Sequence, residues 1–490
     1  MNRQQCSFAN SISWILKVVT LTATLLVAVV FAQNPVPQIV GPVKPMAVAP
    51  GSGAFTLSVY GANFVSGAVV NWNRQPRSTT FISAHELQAQ ILASDVVKNT
   101  AGLISVTNPP PGGGNSSTGW AQVEVHAPIS TVTVSAPTAY PLGFWLLMAA
   151  DFNNDGILDL VGQGGVGLEF YAGTKRGIFH FGSVAGYGYP SVVPGAYGDF
   201  DNDGSLDLIY PTDVNVNSNQ PTRMTVMLGD GNGRFHLGTQ LRDEMGFGLT
   251  TVGDFNGDGK LDLVTKGQRR FSVFLGNGDG TFRRFQDYPN GDLIGEMAAG
   301  DFNGDGKLDL LLLQAIPNSN DAVALKVMVG KGDGTFQKPR EIHRFAKGRV
   351  CGGNVLQDDF QLSDFNGDGN LDVALCTDTQ IVVLLGNGDG TFQSPLLVDA
   401  GTQGLFTYAV GDMNSDGKPD LIVSNYSNFN NPELDVYMGN GDGTFQPRQI
   451  VPVSRTPLAE LGVVVGDFNA DGLLDFVFQT GLGMDVFLQQ

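Results

Sequence analysis

The sequence predicts an all-β chain, a seven-bladed β-propeller behind a small N-terminal β-sandwich, and three observations carry that prediction. A nine-residue pattern, Asp-x-Asn/Asp-x-Asp-Gly-x-x-Asp, recurs seven times, its starts separated by 48, 55, 47, 63, 48 and 55 residues. That period is in the range of propeller blades. Short apolar runs separated by turn residues fill the spaces between copies. Gly accounts for 65 of 490 residues, about twice its usual share, and no long stretch after the N-terminus carries a helical period.

Residues 1–32 read as a signal peptide. Arg3 and Lys17 precede an apolar run from Val18 to Ala32, which ends in Val30, Phe31 and Ala32. A basic region, an apolar region and a small residue at the cut predict cleavage after Ala32. The alternative is an uncleaved anchor, although the run is about fifteen residues and a span needs about twenty. No stable membrane span is expected after cleavage. The chain is expected in the secreted fraction, at the cell surface or in the periplasm.

Residues 33–127 alternate apolar and polar side chains in short runs such as Phe55 to Val59, Ala68 to Trp72 and Gln88 to Leu92. Period-two alternation predicts strands with one buried face, here a small sandwich. His85 and His126 lie in this segment without a metal-ligand partner at useful spacing, and are expected to be ordinary strand or surface histidines. Val59 to Gly67, Val70-Asn71-Trp72 and Val106 to Pro109 with Gly112 to Gly114 resemble the IPT/TIG family of immunoglobulin-like domains. The resemblance implies a spacer or binding module.

From 128 to 490 the repeat takes over. Leu249 to Gly253 leads into the pattern at Asp254, and Leu261 to Val264 leads out. Phe271 to Leu275, the turn Gly276 to Phe282 and the run Arg283 to Gln286 follow. Four strands per repeat make one blade. Position 2 is Phe in six copies and Met413 in the other, a bulk expected to plug the space between adjacent blades. The last repeat lacks a fourth strand, and the run Thr131 to Ser135 is expected to supply it and close the ring. The second recurrent motif, Gly-Asn-Gly-Asp-Gly-Thr-Phe at 276, 386 and 439 with variants at 229 and 330, is expected to be a hairpin turn.

The nine-residue pattern places oxygen side chains at positions 1, 3, 5 and 9 around a Gly, a spacing that suits a hard cation taking six to eight oxygens. Good turn chemistry explains one Asp-Gly but not the fourth carboxylate in all seven copies. The candidate calcium ligands are Asp151, Asn153, Asp155 and Asp159 in loop 1, and Asp199, Asp201, Asp203 and Asp207 in loop 2. Loop 3 offers Asp254, Asn256, Asp258 and Asp262, and loop 4 offers Asp301, Asn303, Asp305 and Asp309. Loop 5 offers Asp364, Asn366, Asp368 and Asp372, loop 6 Asp412, Asn414, Asp416 and Asp420, and loop 7 Asp467, Asn469, Asp471 and Asp475. Up to seven structural Ca2+ ions are expected.

The formal net charge is −19, which disfavours nucleic acid as a partner. Six loops carry three carboxylates and loop 2 carries four, 22 of the 47 acidic residues. The acidity is therefore metal-site chemistry, not a field aimed at a basic partner. Cys351 and Cys376 flank loop 5, and both a disulfide and two buried thiols remain open.

These features together resemble the FG-GAP/VCBS repeat family, whose β-propellers include the head of integrin α chains. The resemblance covers about 128–490 and implies calcium ligation by the loops and extracellular recognition or adhesion, with a protein, matrix or carbohydrate ligand. All seven loops are present here, whereas integrin heads have them in only some blades, and nothing resembles an integrin leg. A monomer is expected. No catalytic constellation is visible: His180, His236 and His343 have no zinc spacing, and no nucleophile elbow or phosphate loop occurs. A non-enzymatic binding module is the expectation. The alternatives are a secreted carbohydrate-active enzyme of polysaccharide-lyase type, using carboxylates such as Asp358, Asp359 and Glu433, and a structural spacer in an envelope assembly. Tyr187, Tyr189 and Tyr197 are candidates for an aromatic platform.

Overall fold

Two N-terminal sheets face each other. One orders its strands Gln38–Ile39, Phe55–Ala62, Glu86–Ile91 and Ser78–Phe81. The other runs Ala47–Val48, Ala121–Val125, Thr100–Asn108, Val69–Trp72 and Gln75–Pro76, with Gly114–Asn115 added beside Thr100–Asn108. The predicted alternation is realised: Leu57, Val59, Leu87 and Ile91 of one sheet meet Val70, Trp72, Ile104 and Val106 of the other in one core. A small residue is needed under the indole, because a Cβ on Gly102 would lie 2.3 Å from Trp72.

The computed structural model describes residues 33–40, 43–116, 121–140, 147–163, 167–187, 195–212, 222–243, 250–266, 270–289, 294–316, 323–345, 360–377, 380–399, 405–425, 433–452, 462–480 and 483–490. All belong to one compact unit, 33–490. Helix among them is limited to one short 3-10 turn, Ala93–Val96. None of their helices is long and apolar enough to cross a membrane.

After the sandwich, the described residues form seven four-stranded antiparallel sheets, an arrangement consistent with a β-propeller. The third, for example, is Thr250–Gly253, Asp262–Lys266, Arg270–Gly276 and Phe282–Pro289. The acidic loop is the hairpin between the first and second strands. Position 9 begins the second strand in every sheet and pairs with the residue just before position 1, as in Gly253 with Asp262 and Gly466 with Asp475.

The last sheet is completed from the N-terminal side, with its ladder shifted from the expected place. Thr138–Tyr140, not Thr131 to Ser135, is the strand that pairs with Gly483–Phe487. The expected run contributes a bridge from Val134 to Gln489 and a bond from the Ser135 N–H to the Leu488 carbonyl, 2.7 Å. Pro137 has no N–H to donate and separates the two stretches.

Sheets are joined in a repeated way. Phe152 of loop 1 meets Phe235 of the next sheet, with ring centroids 6.0 Å apart. Phe200 meets Phe282 at 5.5 Å, Phe255 meets Phe336 at 5.6 Å, Phe302 meets Phe392 at 6.1 Å, and Phe365 meets Phe445 at 5.9 Å. Phe468 of loop 7 meets Phe179 of the first sheet at 5.7 Å. Loop 6 has Met413 instead, and there the Gln489 side-chain amide donates to the Met413 carbonyl at 2.8 Å.

Candidate metal centre

Each acidic loop folds through its own hydrogen bonds. In loop 3, Asp254 Oδ1 accepts the N–H of Gly257 at 2.7 Å and of Asp258 at 3.2 Å, and Oδ2 accepts that of Gly259 at 2.8 Å. Asn256 Oδ1 accepts the Asp258 N–H at 2.8 Å. Positions 4 and 6 take positive φ, 71° at Gly257 and 79° at Gly259. Gly serves that geometry without strain. Asp262 Oδ2 accepts the Phe255 N–H at 3.0 Å, and Oδ1 accepts the Gly276 N–H at 2.9 Å. Position 9 therefore ties the loop's entry to the end of the third strand. Loop 1 differs by one residue, since Asp159 Oδ2 takes the Asn153 N–H at 3.0 Å.

Burial divides the four positions. Asp159, Asp207, Asp262, Asp309, Asp372, Asp420 and Asp475 are 0 % exposed. Position 1 is also buried in six loops, while Asp155, Asp203, Asp305 and Asp368 at position 5 are exposed. Burial is the main cause that pushes Asp159, Asp309 and Asp372 up to about 7, and Asp207, Asp420 and Asp475 up to about 8. Asp262 rises well above the ordinary carboxylate range for the same reason. Neighbouring carboxylates push in the same direction, against the N–H donors that stabilise the charge. A hard cation is the group this donor set suits: oxygen ligands only, and crowded. In loop 2 the carboxylate oxygens of Asp199, Asp201 and Asp207 come within 4.8 Å of one another.

The second recurrent motif does more than turn. Its last Gly donates to the loop Phe of the preceding sheet: Gly280 N to Phe200 O at 3.0 Å, Gly334 to Phe255 at 2.9 Å, Gly390 to Phe302 at 2.8 Å and Gly443 to Phe365 at 3.0 Å. The motif's own Asp is taken up locally, as where the Thr281 N–H donates to Asp279 Oδ1 at 3.1 Å. Motif and loop thus share one face of the propeller.

The sandwich sits on that face, which nothing in the motif pattern announced. His85 is not an ordinary strand histidine: its Nδ1 lies 3.0 Å from Asp301 Oδ2, and its Nε2 lies 3.3 Å from the Gly369 carbonyl. Burial alone would lower its pKa, but the hydrogen bond and charge of Asp301 outweigh it and leave it raised. Arg74 pairs with Asp151 and Lys44 with Asp364. Glu124 is almost fully buried, and burial followed by the charge of Asp412 raises it well above the ordinary range. It accepts the Ser415 hydroxyl of loop 6 at 2.7 Å. Between the sheet holding Asn71 and Thr107 and loops 1, 2 and 7 lies a cleft of about 700 Å3, lined also by Arg74 and Tyr197.

The other candidates are scattered. His126 bonds the neighbouring Ala127 carbonyl at 2.7 Å. His180, His236 and His343 lie on the fourth strands of three different sheets. Tyr197 packs edge-on against Phe152 at 5.6 Å. Cys351, Asp358, Asp359 and Tyr189, with the side chains of Cys376, Tyr187 and Glu433, lie outside the described residues.

The FG-GAP-like repeat family matches residues 151–210, 254–312, 364–423 and 412–478. No curated protein sequence matches the chain. Among solved structures, an Agrocybe aegerita lectin specific for non-reducing terminal N-acetylglucosamine is similar, with TM-score 0.46 and 17% identity over 85% of this chain and 100% of that one. The periplasmic gluconolactonase of Pseudomonas aeruginosa gives 0.42 and 16% over 73% and 93%. An auxiliary nutrient binding protein of Bacteroides ovatus gives 0.31 and 11% over 92% and 98%. The chain carries FG-GAP-like repeats in four stretches that between them contain all seven acidic loops, on an all-β framework of propeller type.

Proposed function

We propose that this is an exported calcium-binding recognition module, a closed seven-bladed propeller that carries an immunoglobulin-like sandwich and uses calcium structurally. The observation that carries the reading is the row of seven position-9 carboxylates, each 0 % exposed and each at the same point of a hairpin. Buried carboxylates are costly unless a countercharge meets them. Two oxygens of position 9 already hold the loop entry and the third strand, so a cation at its edge would stiffen two strands and the loop together. Export supplies the ion, since millimolar calcium outside the cytoplasm fills weak oxygen sites.

The recognised ligand is proposed to be an extracellular protein or carbohydrate, because these loops supply rigidity and no catalytic group. Calorimetric titration of calcium into the EDTA-treated chain, followed with its melting temperature, tests the reading. Saturation near seven ions with a large rise in melting temperature is expected. No heat and no rise would leave the loops as turns and end the proposal.

A further inference from the structure

The seven loops share a backbone but not their surroundings. On four of them a donor from the sandwich or the segment leading into it reaches the same atom, Oδ2 of the first Asp. Arg74 Nη2 takes Asp151, the Val36 N–H takes Asp254 at 2.9 Å, His85 Nδ1 takes Asp301 at 3.0 Å, and Lys44 Nζ takes Asp364. In each case that oxygen also accepts the loop Gly N–H, at 2.9, 2.8, 2.7 and 2.7 Å. The other oxygen, Oδ1, accepts the position-5 N–H instead, at 2.9, 3.2, 3.2 and 3.0 Å. Loop 6 is held through Ser415 and Glu124, and loop 7 through the Asp467 N–H and Gln122 Oε1 at 3.4 Å. Loop 2 has no such contact among the described residues.

We propose that the acidic face of the propeller is the docking platform for the chain's own sandwich, and that divalent cations in the loops fasten it there. The inference rests on the calcium reading above. A carboxylate has two oxygens, and here they are loaded differently: Oδ2 is shared between the sandwich donor and the loop Gly N–H, while Oδ1 bonds only within the loop. A cation that draws on the loop interior and a donor that draws on Oδ2 load one carboxylate without contesting an oxygen. Fixing the loop fixes the direction of Oδ2, so cation binding and docking strengthen each other reciprocally.

The loop Gly supports the same picture. A Cβ on Gly259 would lie 2.6 Å from the Asn34 carbonyl, and one on Gly306 would lie 2.2 Å from the Ala84 Cβ. At Gly156 of loop 1, Gly204 of loop 2 and Gly417 of loop 6 nothing lies within 4 Å. In loops 3 and 4 the residue that lets the loop turn is thus also a point of close approach by the sandwich or the segment leading into it. Loop 2 is an internal control, because its cation should not sense the sandwich.

Amide hydrogen exchange of the full chain, with calcium and with EDTA, tests the proposal. Calcium is expected to slow exchange at 60–63 and 84–86 by about tenfold or more. The triple variant K44Q/R74Q/H85Q should lose most of that slowing while the 262–276 hairpin keeps its own. Calorimetry should show weaker calcium binding in the variant for all but a residual class of sites. Faster exchange at 60–63 and 84–86 with calcium would mean competition and overturn the proposal, as would full protection in the triple variant. Calcium heat without any change at these amides sinks the docking alone, whereas no calcium heat sinks the calcium reading beneath it.

Discussion

Phe255 and Phe336 meet edge to face, 5.6 Å between centroids and 68° between planes, across two consecutive sheets. Phe255 is position 2 of loop 3, and Phe336 closes the second motif of the next sheet. The Gly334 N–H donates to the Phe255 carbonyl in the same contact. Ring packing and backbone bonding thus join one sheet to the next, so the loss of one plug is felt by two sheets.

Phe255 is 3 % exposed, and truncating a buried Phe costs about 3–5 kcal/mol. Phe255→Ala should therefore lower stability by about that amount in denaturant titration. A cycle with Phe336→Ala should return a coupling of about 0.5–1.5 kcal/mol for the aromatic pair. Additive effects would mean the two rings do not act as one contact.

Asp309 accepts the Gly330 N–H on Oδ1 and the Phe302 N–H on Oδ2. Asn at this position keeps one acceptor and turns an amide donor toward an N–H. Asp309→Asn should lose about 1–3 kcal/mol without calcium. It should also bind one calcium fewer by calorimetry, with the remaining sites intact. An unchanged calcium count would remove position 9 from the ligand set.

Much of this was legible in the sequence because repetition exposes it. The four strands of the third sheet fall on the runs around Asp254 and Phe271, since alternation and turn residues are local signals. The plug role of position 2 was equally plain from its repeated bulk. The docking of His85 on Asp301 was not legible: 216 residues separate them, and a lone basic residue carries no spacing. The exception at Met413 becomes intelligible only in three dimensions, where Gln489 and not a Phe-bearing turn lies beside it. The closing strand was misplaced by a few residues because Thr131 to Ser135 alternates like a strand, whereas Thr138–Tyr140, beyond Pro137, is too short to show a period.

The sandwich core depends on a glycine that no turn requires. Gly102 faces the Trp72 indole, which is 2 % exposed, and a Cβ would lie 2.3–2.6 Å from three indole atoms. Overpacking of this kind costs about 1–3 kcal/mol. Gly102→Ala should destabilise the sandwich by that amount and shift tryptophan emission, with the propeller's calcium-dependent melting retained. An unshifted spectrum with wild-type stability would show that the indole has room to move.

The buried carboxylates set the pH dependence of the cation-free chain, and its sign is unusual. Burial, as the main cause, pushes the position-9 carboxyls up to about 7 in Asp159, Asp309 and Asp372 and up to about 8 in Asp207, Asp420 and Asp475. In the unfolded chain an Asp titrates near ~3.9. Between these values the folded chain holds protons that the unfolded chain has released, so stability falls as pH rises through the window. In EDTA the melting temperature should therefore be higher at pH 5.5 than at pH 8. Calcium requires the deprotonated ligands and competes with those protons. The rise in melting temperature on adding calcium should accordingly be small at pH 5.5 and large at pH 8. An EDTA melting temperature that climbs from pH 5.5 to 8 would mean that these carboxyls are ionised and satisfied in the fold without any cation.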